Sequence, residues 1–219
     1  MIADLFSTLP PLQRHFVLRI LWSCPRTRLS AGEARRSDDF PAAGLLVVES
    51  GTVAVVCGPR LGRRIVVAVA ASGGVLAVPV GDQRLIALQD AAVLAVAADA
   101  RRCLLGLPAA AEAIVEALLA ALREREESLA QFASVAHVER VRRKLLQLAR
   151  VHGSPADGGV EVELPLTHAL LAEMVGSARE TVTGAVKALE REGFLVREDG
   201  RYRLMLAPEV SASAAPESV

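Results

Sequence analysis

LTHALLAEMVGSARETVTGAVKALEREGFLVREDGRYRL, Leu166 to Leu204, reads as two short helices separated by a tight turn and followed by a hairpin. Thr167 stands where an N-cap hydroxyl can accept from a free backbone N–H, and Leu170, Leu171, Met174 and Val175 follow at helical spacing. Gly176 can adopt the left-handed conformation that stops this helix, and Ser177 can cap the next. In that second helix Val182, Ala185, Val186 and Leu189 form an apolar stripe, which leaves Arg179, Glu180, Thr183 and Lys187 on the outer face. Gly193 ends it. Phe194 to Val196, a turn at Glu198-Asp199-Gly200 and Tyr202 to Leu204 then make a hairpin with a strong Asp-Gly turn signal. The order is that of a winged helix-turn-helix.

Within this stretch the string ARETVTGAVKALEREGFLV, preceded by LTHALLAEMVG, resembles the DNA-binding domain of the CRP/FNR family of dimeric bacterial activators and repressors. The Arg-Glu-Thr-Val core at Arg179 to Val182 is the most specific part. The resemblance implies an α+β chain: an N-terminal jelly-roll β-roll of the cyclic-nucleotide-binding-like type acting as sensor, a long dimerisation helix, and a C-terminal winged helix-turn-helix. It implies double-stranded DNA, a second copy of the chain and RNA polymerase as partners. One departure matters. Most relatives carry a second arginine where this chain has Gly184, and losing such a guanine reader removes ~1–3 kcal/mol of discrimination at one base pair. Gly184 also weakens the helix by up to ~1 kcal/mol relative to alanine.

The remaining sequence fits that plan. A chain of 219 residues, 52% hydrophobic, can bury a sizeable core in one large or two modest domains. No apolar run approaches the ~18 residues that span a bilayer, and MIADLFSTLPPLQRHF lacks the pattern of a secretory leader. A cytoplasmic protein with no membrane partner is expected. Cys24, Cys57 and Cys103 are odd in number and widely spaced, which suits a reducing compartment. Net charge is zero overall: +4 over residues 1–107, −3 over 108–135, +1 over 136–207 and −2 in the tail. Phosphate contacts must therefore come from placed residues such as the Arg140, Arg142, Arg143, Lys144 cluster and Arg179, Lys187, Arg201 and Arg203.

Leu5 to Trp22 has helical periodicity around Pro10-Pro11 and predicts one or two short helices. From Leu45 the runs LLVVESGTVAVV, RRIVVAVA, GGVLAVP, RLIALQ and AAVLAVA read as strands of a small β-barrel or β-roll, with Glu49-Ser50-Gly51 where a hairpin turn would fall. After Leu107-Pro108, Ile114, Leu118, Leu119, Leu122, Leu129 and Phe132 mark a helix of about 25 residues whose stripe can bury against a two-fold mate. His137 to His152 is a basic amphipathic helix, Gly153 to Gly159 reads as a loop, and Val160 to Leu164 alternates as a strand. These boundaries give a sensor at 1–107, a dimerisation helix at 108–135, a winged helix-turn-helix at 136–207 and a disordered tail at 208–219.

In a helix-turn-helix the start of the second helix faces base edges. Arg179 can make the bidentate contact to guanine O6 and N7, and Glu180 can accept from cytosine N4. Thr181, Thr183, Lys187 and Ser177 are placed for base or backbone contact, and Thr167 and His168 at the start of the first helix for phosphate.

The sensor has fewer clues. Related cyclic-nucleotide pockets use a Gly-Glu pair for the ribose and an Arg for the cyclic phosphate; the matching region, Ser72 to Leu85, holds no glutamate and leaves Arg84 as the weak phosphate candidate. Arg125 and Glu126 fall where the cyclic-AMP receptor protein has hydroxyl residues facing adenine. Cyclic AMP bound in the usual way is disfavoured, and three scattered cysteines disfavour an iron–sulfur cluster. A haem is the open alternative, with His15 or Cys24 as axial ligand, as is redox sensing through Cys57 or Cys103. No P-loop, GxSxG, HExxH or paired CxxC points to an enzyme, and no metal site is read. The leading expectation is a homodimeric regulator that reads a pseudo-palindromic operator. A sensor or adaptor whose winged helix binds a protein partner is the alternative from another class.

Overall fold

A computed structural model describes residues 5–59, 64–198 and 200–205, with side chains left out at 133 and 134. Asp199 of the expected turn and the tail from 208 lie outside the described residues. The chain divides into two compact units at Glu127/Ser128, and the fold is the expected mix of an antiparallel β domain, a long helix and a helix-turn-helix with a small sheet.

The N-terminal unit opens with α1 (Pro11–Trp22), which has Pro11 at its first position, where no N–H is needed. Two four-stranded sheets follow. One has the order β1 (Arg26–Leu29), β8 (Ala91–Ala97), β3 (Ala43–Ser50), β6 (Val75–Ala77); the other is β2 (Ala34–Arg35), β7 (Arg84–Ala87), β4 (Thr52–Cys57), β5 (Ile65–Ala71). All pairings are antiparallel. Because side chains alternate along a strand, Leu46, Val48, Val93 and Ala95 fill the space between the sheets with Val53, Val55, Leu76 and Leu85. Val47, Leu94 and Val96 point the other way and meet Val17 and Leu21 of α1, Leu104 of α2 (Ala98–Leu105), and Ala110 and Ile114 of α3 (Pro108–Ser134). The result is two sheets with a helical layer on one of them.

Two expectations are corrected here. Glu49-Ser50-Gly51 is not a hairpin turn: β3 pairs with β6 and β8, β4 with β5 and β7, and the chain changes sheet at Gly51. Gly51 sits at φ +73°, and a Cβ there would lie 2.2 Å from the Asp90 carbonyl oxygen, so the corner demands glycine for both conformation and space. The short strands β1 and β2, whose polar composition hid them, lie before Leu45. After β8 the chain enters α2, which lies within the 1–107 segment.

In the C-terminal unit, α4 (His137–His152) is followed by β9 (Gly153–Ala156) and β10 (Gly159–Val162). The expected loop at 153–159 is thus a hairpin, with Ala156 opposite Gly159 across an Asp157-Gly158 turn. Then come α5 (His168–Val175), α6 (Arg179–Arg191), β11 (Leu195–Glu198) and β12 (Arg201–Leu204), which complete a sheet of order β11-β12-β10-β9. Glu198 faces Arg201 across the tip of the wing, with Gly200 at φ +80°.

Gly51→Ala is expected to cost the N-terminal unit about 2 kcal/mol or more, from the left-handed conformation and the backbone clash together. A urea unfolding midpoint within error of wild type would contradict that reading of the corner.

Candidate nucleic-acid interface

The helix-turn-helix is set by short-range chemistry at both ends of α5. The Thr167 hydroxyl accepts from the Leu170 N–H at 3.1 Å, the expected cap. Gly176 closes the helix at φ 59°, ψ 38°, and the Ser177 N–H reaches back to the Ala172 carbonyl at 3.0 Å. The N-cap of α6 is Ala178, not Ser177. Ser177 is buried, and its hydroxyl lies 2.7 Å from His137 Nδ1, because the left-handed turn swings it under α4. α6 therefore begins with no side-chain cap, and its first N–H groups are not covered from within.

On α6, Val182, Ala185, Val186 and Leu189 are buried. At 100° per residue, Glu180, Gly184, Lys187 and Arg191 fall on the stripe directly opposite, with Arg179 at the helix start, and all are exposed. Among the described residues Arg179 and Lys187 have no carboxylate partner. Thr181 is half-buried. Thr183 is used internally. Its hydroxyl donates to the Arg179 carbonyl at 2.9 Å and lies 2.9 Å from His168 Nδ1, which must then carry the ring proton. This chain of bonds ties the start of α5 to the first turn of α6. His168 Nε2 is left buried without a hydrogen-bond partner. Burial holds the His168 pKa below the usual histidine value, Arg197 and Arg179 push it the same way, and Glu190 opposes.

Beside these helices lies an open cleft of about 810 Å³ whose lining includes Thr167, His168, Arg179, Arg197 and Arg201. Arg197 escaped the sequence reading. It sits on the wing opposite Tyr202, whose ring it overlies at 5.6 Å. The signal available was the position itself, an arginine two residues before the Asp-Gly pair.

The basic cluster at the start of α4 is a correction. Arg140 is 7% exposed and donates to the Val175 carbonyl at 3.2 Å, so it is structural and cannot reach a phosphate. Arg142 pairs with Glu139 and Glu192 and overlies the Phe194 ring at 4.6 Å. Arg143 pairs with Glu139 at 2.9 Å, and Lys144 donates to Gln147 at 2.5 Å. Arg203 pairs with Glu198 and Arg201 with Glu161, although Arg201 remains well exposed.

In the N-terminal unit the sensor candidates do not assemble. Arg84 alternates with Leu85 and Ala87, which face the inter-sheet core, and so lies on the opposite face of β7. Arg125 is half-buried on α3 and Glu126 exposed. His15 is exposed on α1, whereas Cys24 is buried in the helix-side core with its thiol donating to the Ile20 carbonyl at 3.4 Å. Burial pushes that thiol's pKa up, away from the thiolate a metal needs. With side chains filling the space between the sheets, the two haem-ligand candidates do not fit a porphyrin site. Among the described residues no group of three or more His, Cys, Asp or Glu is placed to hold a metal ion. No single helix there is long and apolar enough to cross a membrane.

Residues 139–208, which span this cleft and both helices, match the Crp-like helix-turn-helix domain family. The C-terminal unit is a Crp-like helix-turn-helix domain. A relative from Mycobacterium tuberculosis, described as a CRP-like cAMP-activated global transcriptional regulator, is 32% identical over 108 residues, 49% of this chain and 48% of that one. The chain thus spans about half the length of the curated relatives it matches. A CooA mutant from Carboxydothermus hydrogenoformans shares the fold over 90% of both chains, with TM-score 0.73 and 18% identity. The c-di-GMP responsive global regulator CLP of Xanthomonas campestris matches over 88% of this chain and all of its own, with TM-score 0.71 and 19% identity. FixK2 of Bradyrhizobium japonicum matches over 89% and 99%, with TM-score 0.70 and 21% identity. The chain thus carries a Crp-like helix-turn-helix domain over residues 139–208 and shares its fold with these solved structures.

The Crp-like domain also holds His152, whose pKa is lowered by burial against the opposing pull of Glu163. Histidines with folded pKa values below their unfolded values bind fewer protons when folded, so stability is full above the unfolded pKa of ~6.5 and falls as pH drops through it. The thermal midpoint of the C-terminal unit is expected to fall between pH 7 and pH 5, and to fall less in His152→Gln/His168→Gln. An equal decline in the double variant would assign the effect elsewhere.

Proposed function

We propose that this protein is a homodimeric, sequence-specific DNA-binding regulator that reads a pseudo-palindromic operator with one α6 per half-site. One observation carries the reading: the stripe of α6 opposite its buried face presents Arg179, Glu180 and Lys187 beside an arginine-lined cleft at the wing. In this reading Arg179 pairs with guanine, Glu180 accepts from cytosine, and Thr181 and Lys187 contact base or backbone. Thr167, Arg197 and Arg201 hold phosphates. Thr183 and His168 position the helices, and Ser177 belongs to the interior.

Dimerisation rests on α3. Ile114 and Leu118 of the expected stripe turn inward to the roll, while Val115, Leu122 and Leu129 recur every seven residues at 48, 49 and 65% exposure, with Leu119 beside them at 37%. That spacing suits a two-stranded coiled coil. The domain limits are those of the sequence: sensor 1–107, dimerisation helix 108–135, reader 136–207. The sensor is gated by something other than cyclic AMP held in the usual way, since Arg84 sits on the outer face of β7 and no glutamate joins it. The protein works in the cytoplasm with RNA polymerase as partner. A second reading, a winged helix that binds protein, is favoured by the internal pairing of Arg142, Arg143 and Arg203.

Salt separates the two readings: affinity for operator DNA should fall steeply as salt rises, because phosphate contacts release counterions. With an operator selected from genomic fragments, Arg179→Ala should abolish specific binding in a gel-shift titration and leave the dimer intact; unchanged affinity would sink the assignment. Leu122→Glu should move the protein from dimer to monomer in sedimentation velocity, and a variant that stays dimeric would place the interface elsewhere.

A further inference from the structure

Gly184 is the one position on the outer stripe of α6 that lacks a side chain. Glycine in a helix interior is unfavourable, and the usual reasons for keeping it are a positive φ or a neighbour too close for a Cβ. Neither holds here. Gly184 has helical backbone, and a Cβ built on it meets nothing within 4 Å. Gly51, Gly153, Gly159 and Gly176 contrast with it, since a Cβ on each comes within 3.0 Å of an atom of the protein. Nothing inside the chain requires glycine at 184, and the residue lies one turn beyond Glu180 and one turn before Lys187.

We infer that Gly184 forms a notch in the reading face that seats the 5-methyl group of a thymine, and so makes it a specificity-determining residue. The inference rests on the proposal that α6 reads DNA. Among base edges in the major groove, the thymine methyl is the apolar protrusion. A gap between a carboxylate and an ammonium, floored by bare helix backbone, admits that methyl and excludes nothing the helix needs. An added Cβ fills the gap.

The test uses the full-length protein and a duplex carrying its selected operator. Replacing each thymine in turn by deoxyuridine removes only the methyl group. Wild type should lose roughly four-fold in affinity per half-site at one symmetric thymine position, the value of burying about one methyl group. Gly184→Ala should melt at a higher temperature than wild type, bind the thymine operator more weakly, and no longer distinguish uracil from thymine there. A Gly184→Ala variant that binds as tightly as wild type overturns the inference, as does a uracil scan with no sensitive position or one whose sensitive position is untouched by the substitution. If those results come with an operator still lost on Arg179→Ala, the reading of α6 stands without the notch. If wild type selects no operator, both fall.

Discussion

Arg140 is a buried cation beneath the turn between α5 and α6, and among the described residues its partners carry no formal negative charge. Burying an arginine this way is costly unless its surroundings replace water. They do so in part, by three routes, while the Arg140 Nε is buried without a hydrogen-bond partner among the described residues. The Val175 carbonyl lies at the C-terminal, electronegative end of α5. His137 Nδ1 lies 2.5 Å from the guanidinium and accepts from it, and the Phe132 ring lies 5.9 Å from its carbon. The same His137 nitrogen meets Ser177, so one cluster fixes the end of α3, the start of α4 and the turn itself. Gly176 makes the arrangement possible, since a Cβ there would stand 3.0 Å from the Phe132 ring. The angle between the two helices, on which any reading of a groove depends, is thus held from below by a charge.

That dependence explains why the sequence was legible in one respect and misleading in another. The caps and apolar stripes of α5 and α6 are local, and Thr167, Gly176 and Gly193 do what their types dictate. Gly193 ends α6 with the Phe194 N–H returning to Leu189, a local bond pattern again. Arg140 and Ser177 looked like surface residues because their types favour water or helix caps. Only the tertiary position of α4 over the turn converts them into core. The basic run at 140–144 was an electrostatic expectation; Arg140 is drawn into the interior, and Glu139 and Glu192 neutralise Arg142 and Arg143.

Non-local pairing limited the reading of the roll in the same way. Each strand from Leu45 onward was visible as an apolar run, but which strand pairs with which depends on a corner. Glu49-Ser50-Gly51 has the composition of a hairpin turn, and the space left by Asp90 and Ala91 decides that it is a sheet crossing. On α3 the sequence showed one apolar stripe where the structure has two. Ile114 closes the N-terminal core, and the seven-residue series from Val115 is left for another surface. A periodicity of 3.6 supports both faces at once, so the sequence could not divide them.

The C-terminal sheet ends on one side at β9, an edge strand carrying Pro155 opposite Val160. Proline has no N–H to offer a further strand, and at an edge it is tolerated for that reason. The other edge, β11, exposes Arg197 and Glu198, and charge at an edge discourages strand addition. In the dimer proposed above, two such small sheets share one assembly, which raises the local concentration of exposed edges. Guarding both ends leaves the wing a finger and not a template, so the copies can be brought together without their sheets polymerising.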